Sequence, residues 1–428
     1  MKIADRPDRP IKENSRARRL VVMAGLLSVV GWSAWRIVSL TAATSLATAD
    51  PDSALRWDRN APAILAEAAD LRLTDARTPQ DLDEVASLAR QALLASPLTQ
   101  PALRQLGLIA DLRGDLTAAN RIMTIAGNAS PFDAVSQVWL LDANLRRRDF
   151  ADVVTRIDIL FRTRPDLIGR LLPSIEPVIL NDQGRAALVS RIQGNPPWRE
   201  PLLASLARSA DPTIAYSMLA ALSSKTALTD PEIAPLVNRL VEAGNFQLGY
   251  LTWLQLAPDR AEQGLLSNGN FAHLPSGVPF DWVVTPINGA YTDIIPASDP
   301  AQGNELHVDF AHTRVDYANT AKLLLLKPGS YRFSGQVRIA DLVAKEGIGW
   351  RIRCAEGDKQ IIADTPHFSG TSPSREFGIQ FTVPDNGCTA QWLTLQTLAD
   401  LAVEKDIGGD IWFSHLAIHR DLGQDSSG

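Results

Sequence analysis

Three prolines, Pro97, Pro131 and Pro165, stand 34 residues apart, and this spacing constrains the chain more than any other feature. A period of about 34 residues suits one helix–turn–helix unit per repeat, and such units are stable only when stacked on neighbours. Residues 50–262 show almost no strand-like alternation, are rich in Ala and Leu, and are broken at intervals by Pro and Gly. The region reads as an all-α solenoid.

The best-kept unit is 100–131. Leu106-Gly107 falls in its first helix and Ala119 in its second, with Met123 and Ala126 one and two turns later. Gly107 and Ala119 are small enough to let the helices approach closely, and Gly114-Asp115 supplies a turn and an N-cap. On these residues the unit resembles a tetratricopeptide (TPR) repeat. Unit 134–165 keeps Leu140, Val153, Ile157, Leu160 and Pro165, with Arg148-Asp149 at the turn, but places Leu141 and Val153 where small residues belong. Unit 66–97 keeps Val85, Ala89, Ala92 and Pro97, and Pro197 and Pro231 repeat the spacing with a degenerate signature between them. The resemblance implies a protein-interaction scaffold with a concave groove. Arg146-Arg147-Arg148 reads either as a patch for an acidic partner or as a solvated helix end favoured by the dipole.

Residues 1–19 carry Lys2, Arg6, Arg9, Lys12, Arg16, Arg18 and Arg19 against Asp5, Asp8 and Glu13, a basic arm. Leu20 to Trp35 are then uncharged, Arg36 interrupts, and Ile37 to Ala49 are uncharged again. About 20 apolar residues cross a bilayer as a helix. Residues 20–42 are therefore expected to be a single-pass transmembrane signal-anchor. Its basic arm 1–19 would be cytoplasmic and the bulk of the chain periplasmic, on a bacterial inner membrane. Ala47-Thr48-Ala49 leaves open a cleaved signal peptide instead. The net charge is −6 and no other stretch is strongly basic, which excludes nucleic acid as the expected partner.

Beyond residue 262 the character changes. Candidate strands at 264–267, 281–285, 304–311, 321–326, 330–340, 348–355, 375–383, 389–398 and 410–420 alternate with Gly, Pro and Asn turns. Residues 263–422 are expected to form an all-β antiparallel sandwich, and 423–428 a disordered tail. All six histidines and both cysteines lie in this part.

The order of features there resembles the galactose-binding-like jelly-roll modules found as carbohydrate-binding domains. Leu266-Ser267-Asn268-Gly269-Asn270-Phe271 opens the domain, and Phe280-Asp281-Trp282 follows. Leu306-His307-Val308, Lys327-Pro328-Gly329-Ser330-Tyr331-Arg332-Phe333 and Ile411-Trp412-Phe413 come next. The resemblance implies sugar binding. In this class an Asp often follows the last aromatic pair near a structural calcium; here Ser414 and His415 stand there. No metal and no cofactor is assigned.

Outside the cytoplasm, Cys354 and Cys388 are expected to form one disulfide. If 354 lies opposite 388 on antiparallel strands, Trp350 and Trp392 are cross-strand neighbours. Parity then conflicts: solvent-facing Arg351 and Arg353 put Trp350 inward, whereas inward Leu393 and Leu395 put Trp392 outward. A bulge, another register or a pair of surface tryptophans would each resolve it. Exposed tryptophans would stack on pyranose faces; the alternative is that both are core. Along 331–339, Tyr331, Phe333, Val337 and Ile339 share one face and Arg332, Ser334, Gln336 and Arg338 the other. With Arg351, Arg353 and Gln391, that polar face is a candidate glycan-binding sheet suited to acidic sugars through bidentate arginine contacts, or else a solvated outer face. The candidate glycan ligands are thus Arg332, Arg338, Trp350, Arg351, Arg353, Gln391 and Trp392.

His415 and His419 share a strand face at about 13 Å, too far for one metal, and His307 and Asp309 share one at about 7 Å. No nucleophile elbow, P-loop, dinucleotide fingerprint or metal cluster occurs, so no enzymatic activity is expected. The combination looks like accessory proteins of exopolysaccharide assembly. The repeats would dock on an envelope protein of a synthesis or export complex, and the jelly-roll would hold the polysaccharide. A protein–protein scaffold with a structural sandwich is the alternative, and a glycan-cleaving enzyme the third reading.

Overall fold

Helix pairs recur at the proline spacing in the computed structural model, which describes residues 15–46, 49–209, 211–258, 264–297, 303–357, 359–398 and 406–421. Helix α1 (Ser15–Leu46) and the short α2 (Pro51–Trp57) precede the pairs α3 (Pro62–Asp75) with α4 (Pro79–Ala95), α5 (Gln100–Leu112) with α6 (Leu116–Ala129), and α7 (Ala134–Arg147) with α8 (Phe150–Thr163). Asp115 and Asp149 cap α6 and α8 by accepting from the N–H groups of Ala118 and Asp152, groups that have no partner inside the helix. Gly107 lets α5 touch α6: a Cβ there would lie 2.8 Å from the Met123 side chain. Between pairs, Gln105 donates to the Ala66 carbonyl at 2.6 Å, and Arg104 joins Asp70 to Asp133.

The expected membrane span 20–42 lies within the 32-residue α1, several of whose side chains fall outside the described residues. Among the described residues no helix is long and apolar enough to cross a membrane. Residues 1–14 of the basic arm and the tail 423–428 also lie outside them.

The chain divides into two compact units, Met1–Arg164 and Pro165–Gly428. The change from helix to strand near residue 262 falls inside the second. That unit opens with a 3-10 turn (Pro165–Leu167) and helices α9 (Ile168–Leu180), α10 (Asp182–Ile192), α11 (Arg199–Ala207), α12 (Pro212–Ser223), α13 (Asp230–Glu242) and α14 (Phe246–Leu256). The reason the two folds belong together is local. Phe280, from the sandwich, meets Tyr250 and Trp253 of α14 with ring centroids 5.2 and 6.1 Å away. Gly249 of α14 lies under the same ring, where an added Cβ would sit in ordinary contact at 3.4 Å.

The strands form two five-stranded antiparallel sheets. One has the order β1 (Val283–Val284), β4 (Thr320–Leu324), β9 (Gln391–Thr397), β6 (Ile348–Cys354), β7 (Ile361–Asp364). The other has the order β2 (Ala290–Pro296), β3 (Asn304–Arg314), β10 (Asp406–Arg420), β5 (Gly329–Ala344), β8 (Gly370–Val383). Residues 264–267, expected as a strand, form a bend leading into a turn; β2 and β7 carry no strand signal in the sequence, because both are edge strands without a period-two burial pattern. Trp350 of β6 is fully buried and meets Trp282, Phe333 and Phe413 at 5.6, 6.1 and 5.3 Å, joining the sheets.

In α13, the buried Glu232 receives two hydrogen bonds from Arg199 of α11, at 2.5 and 3.0 Å, and one from the Thr229 N–H at 2.9 Å. Burial opposes its ionisation, but these donors outweigh that and hold its carboxyl below the ordinary glutamate range. Its charge therefore stabilises the fold above about pH 4.3, and that contribution is lost as pH falls through the folded value. Glu232→Gln is expected to cost about 3–5 kcal/mol by leaving Arg199 buried and unpaired. It should also remove part of the acid dependence of thermal unfolding, as measured by circular dichroism from pH 7 to 3.

Candidate functional site

Cys354 and Cys388 form a disulfide with their Cα atoms 5.0 Å apart, but they do not face each other in the sheet. Cys354 faces Gln391, Ile352 faces Leu393 and Trp350 faces Leu395. The true partner of 354 is thus three residues beyond 388, an odd shift, and an odd shift exchanges the two faces of a strand. The parity conflict disappears: Trp350 and Leu395 point inward, Arg353 and Trp392 outward. Two expected glycan ligands are corrected by this register. Trp350 and Gln391 are each 0% exposed. Gln391 donates to the Cys388 carbonyl at 2.7 Å and accepts from the Leu326 N–H at 2.9 Å, so it is a structural clasp.

A second correction concerns the rest of that set. Arg351, Arg353 and half-buried Trp392 stand on the outer side of the β1-β4-β9-β6-β7 sheet, and Arg332 and Arg338 on the outer side of the other. The two groups lie on opposite faces of the sandwich and make no common site. Arg351 is bonded twice to Asp364, at 2.7 and 3.0 Å.

On the β2-β3-β10-β5-β8 sheet, Arg338 donates to Glu305 at 2.9 Å and lies over the Trp412 ring, 3.7 Å from its centroid. His307, across the other neighbouring strand, stacks on Trp412 at 4.8 Å and 7°. Its ring nitrogens meet Asp293 at 3.2 Å and Asp410 at 2.7 Å. Trp412 is therefore flanked by Arg338 and His307 on its two neighbouring strands, and the column forms a stiff wall.

Beside this wall lies a hollow of about 490 Å³, lined by Arg332, Ser334, Gln336, Glu376, Gly378 and His415, with Gly335 and Phe377 beneath. A β-bulge between Ser414 and Ala417 builds one side of it. His415 has φ 52°, a left-handed backbone that non-glycine residues avoid. The bulge is held by the opening loop: the Leu416 N–H donates to the Gly269 carbonyl at 2.9 Å. A Cβ on Gly269 would collide with the Leu416 carbonyl at 1.9 Å, so only glycine permits this approach. Among the described residues, Arg332, Glu376 and His415 have no hydrogen-bond or ion-pair partner. The arrangement can donate and accept hydrogen bonds to a polyhydroxylated ligand.

Trp412, His307, Glu376 and His415 were missed as site residues. Inward Ile411 and Phe413 already imply an outward Trp412, but the bulge that presents His415 has no period-two signature. The calcium implied by the resemblance does not fit the opening loop. The buried Lys322 ammonium donates there to the Ser267 carbonyl and hydroxyl, at 2.8 and 3.0 Å, and lies 3.9 Å from Asp281. Among the described residues no group of three or more His, Cys, Asp or Glu could hold a metal.

No family model matches the sequence, and no curated protein matches it. The C-terminal sandwich is similar to solved carbohydrate-binding modules. One, described by the words "CBM4 structure and function", is 14% identical over 36% of this chain and 99% of its own, with a TM-score of 0.29. A family 16 carbohydrate-binding module is 14% identical over 37% of this chain and 100% of its own, TM-score 0.26. A xylan-binding CBM22 domain from Paenibacillus barcinonensis is 12% identical over 32% of this chain and 85% of its own, TM-score 0.24.

A left-handed non-glycine residue costs about 1 kcal/mol. His415→Gly is expected to raise the stability of the sandwich by about that amount in urea unfolding, whereas His415→Ala keeps the strain.

Proposed function

We propose that this protein is a non-enzymatic glycan-binding protein whose sandwich holds a polysaccharide in the hollow on the β2-β3-β10-β5-β8 sheet. The observation that carries this reading is the convergence of three unpaired polar side chains, Arg332, Glu376 and His415, on one hollow beside a rigid aromatic wall. Among the described residues a single carboxylate, Glu376, lines the hollow, whereas glycoside hydrolysis uses a pair. The paired helices suit a docking scaffold of the TPR type for an envelope protein of exopolysaccharide assembly. Several large apolar side chains of α1, among them Leu27, Trp32 and Ile37, are exposed, which suits insertion of this helix into the inner membrane. The disulfide suits a periplasmic position for the sandwich.

A protein–protein role for the second unit is the other reading. It is favoured by an apolar groove of about 310 Å³ between α12, α13 and α14, where Leu248 and Leu251 are exposed.

The test is calorimetric titration of the full chain with xylan, a β-glucan and polygalacturonate. Saturable binding to one of them is expected to weaken about tenfold or more in Arg332→Ala and Glu376→Ala, in line with the loss of a charge-assisted hydrogen bond. Arg351→Ala and Arg353→Ala, on the opposite sheet, are expected to bind as the wild type does. Binding that follows the latter pair instead would move the site to the other face.

A further inference from the structure

We infer that the hollow selects an anionic sugar, holding its carboxylate through Arg332; this rests on the glycan reading. The arginines named from sequence are not equivalent in the fold. Arg338 is committed to Glu305 and Trp412, Arg351 to Asp364, and Arg353 stands on the other sheet. Among the described residues Arg332 has neither a carboxylate nor a carbonyl partner, yet it lines the hollow.

Its seat is built. A Cβ on Gly378 would lie 3.0 Å from the Arg332 Nη2 and 3.4 Å from its Cζ and Nε, so the guanidinium lies close along the β8 backbone. Its cross-strand neighbours are Gln380, which donates to Asp421 at 2.8 Å, and His419. Glu376, the one carboxylate lining the hollow among the described residues, stands opposite Gln336, two residues along β8 from the Gly378 against which the guanidinium lies, or about 7 Å of strand. The two side chains do not pair. A guanidinium is a rigid fork of donors that matches a carboxylate in two parallel hydrogen bonds. Glu376 accepts from hydroxyls but cannot donate, and Ser334 and Gln336, between the two charged ends, do both. The sequence of groups along β5 fits a chain of uronic-acid type: carboxylate at Arg332, ring hydroxyls along Ser334 and Gln336, and further hydroxyls at Glu376.

The experiment compares the full chain's affinity for polygalacturonate with that for the same polymer after reduction of its carboxyl groups. The acidic polymer is expected to bind about tenfold more tightly. Arg332→Gln should abolish the difference, Arg332→Lys should keep part of it, and circular dichroism should report an unchanged fold in both. Equal affinity of the wild type for the two polymers overturns the inference, as does a difference that survives Arg332→Gln. Binding to xylan or β-glucan without binding to polygalacturonate also overturns it and spares the glycan reading. Binding to none of these polymers overturns both.

Discussion

The packing of Trp350 between the two sheets is the contact on which the sandwich depends. Its ring meets Phe333 and Phe413 of the facing sheet and Trp282 of the opening segment. Large aromatic groups bury much apolar area, and edge-to-face pairs add to it. Because strand side chains alternate, each inward ring also determines what faces out. Inward Phe333 puts Arg332 and Ser334 on the surface. Inward Phe413 puts Trp412 there. Inward Trp350 puts Arg351 and Arg353 on the opposite surface. The core thus sorts the arginines into two populations that can never meet.

The polar face that results is divided by pairing. Glu305 with Arg338, and His307 with Asp293 and Asp410, satisfy one another around the Trp412 ring, which suits half-buried groups that must replace lost water contacts. Arg332, Glu376 and His415 are exposed, so leaving them unpaired costs little and keeps their hydrogen-bonding capacity for a ligand. The bulge at His415 is the strained element, and the Gly269 loop holds it from outside the sheet. Lys322 fixes the same loop from within through Ser267.

The second unit is held together by a similar economy of aromatic contacts. Phe280 seats against α14, and Arg199 with Glu232 locks α11 to α13. The repeat helices of the first unit rely instead on small residues and caps, with Gly107 close against Met123 and Gly127 close against Leu140.

Local periodicity determined a good deal from sequence alone. The proline spacing, the Asp115 cap and the Arg148-Asp149 turn defined the helix pairs, and the alternation along 331–339 assigned the two faces of β5 correctly. The two cysteines were legible as a pair, although their strands run in another register. What the sequence left open was long-range. A period of two says which residues share a face, but it does not say which sheet a strand joins or where its partner begins. Those choices placed Arg351 and Arg353 away from Arg332, buried Trp350 and Gln391, and brought β8 and the bulge of β10 beside β5 to make the hollow. They were decided by contacts between residues tens of positions apart, such as Leu416 with Gly269 and Arg332 with Gly378, whose free energy exists only once the chain has closed on itself.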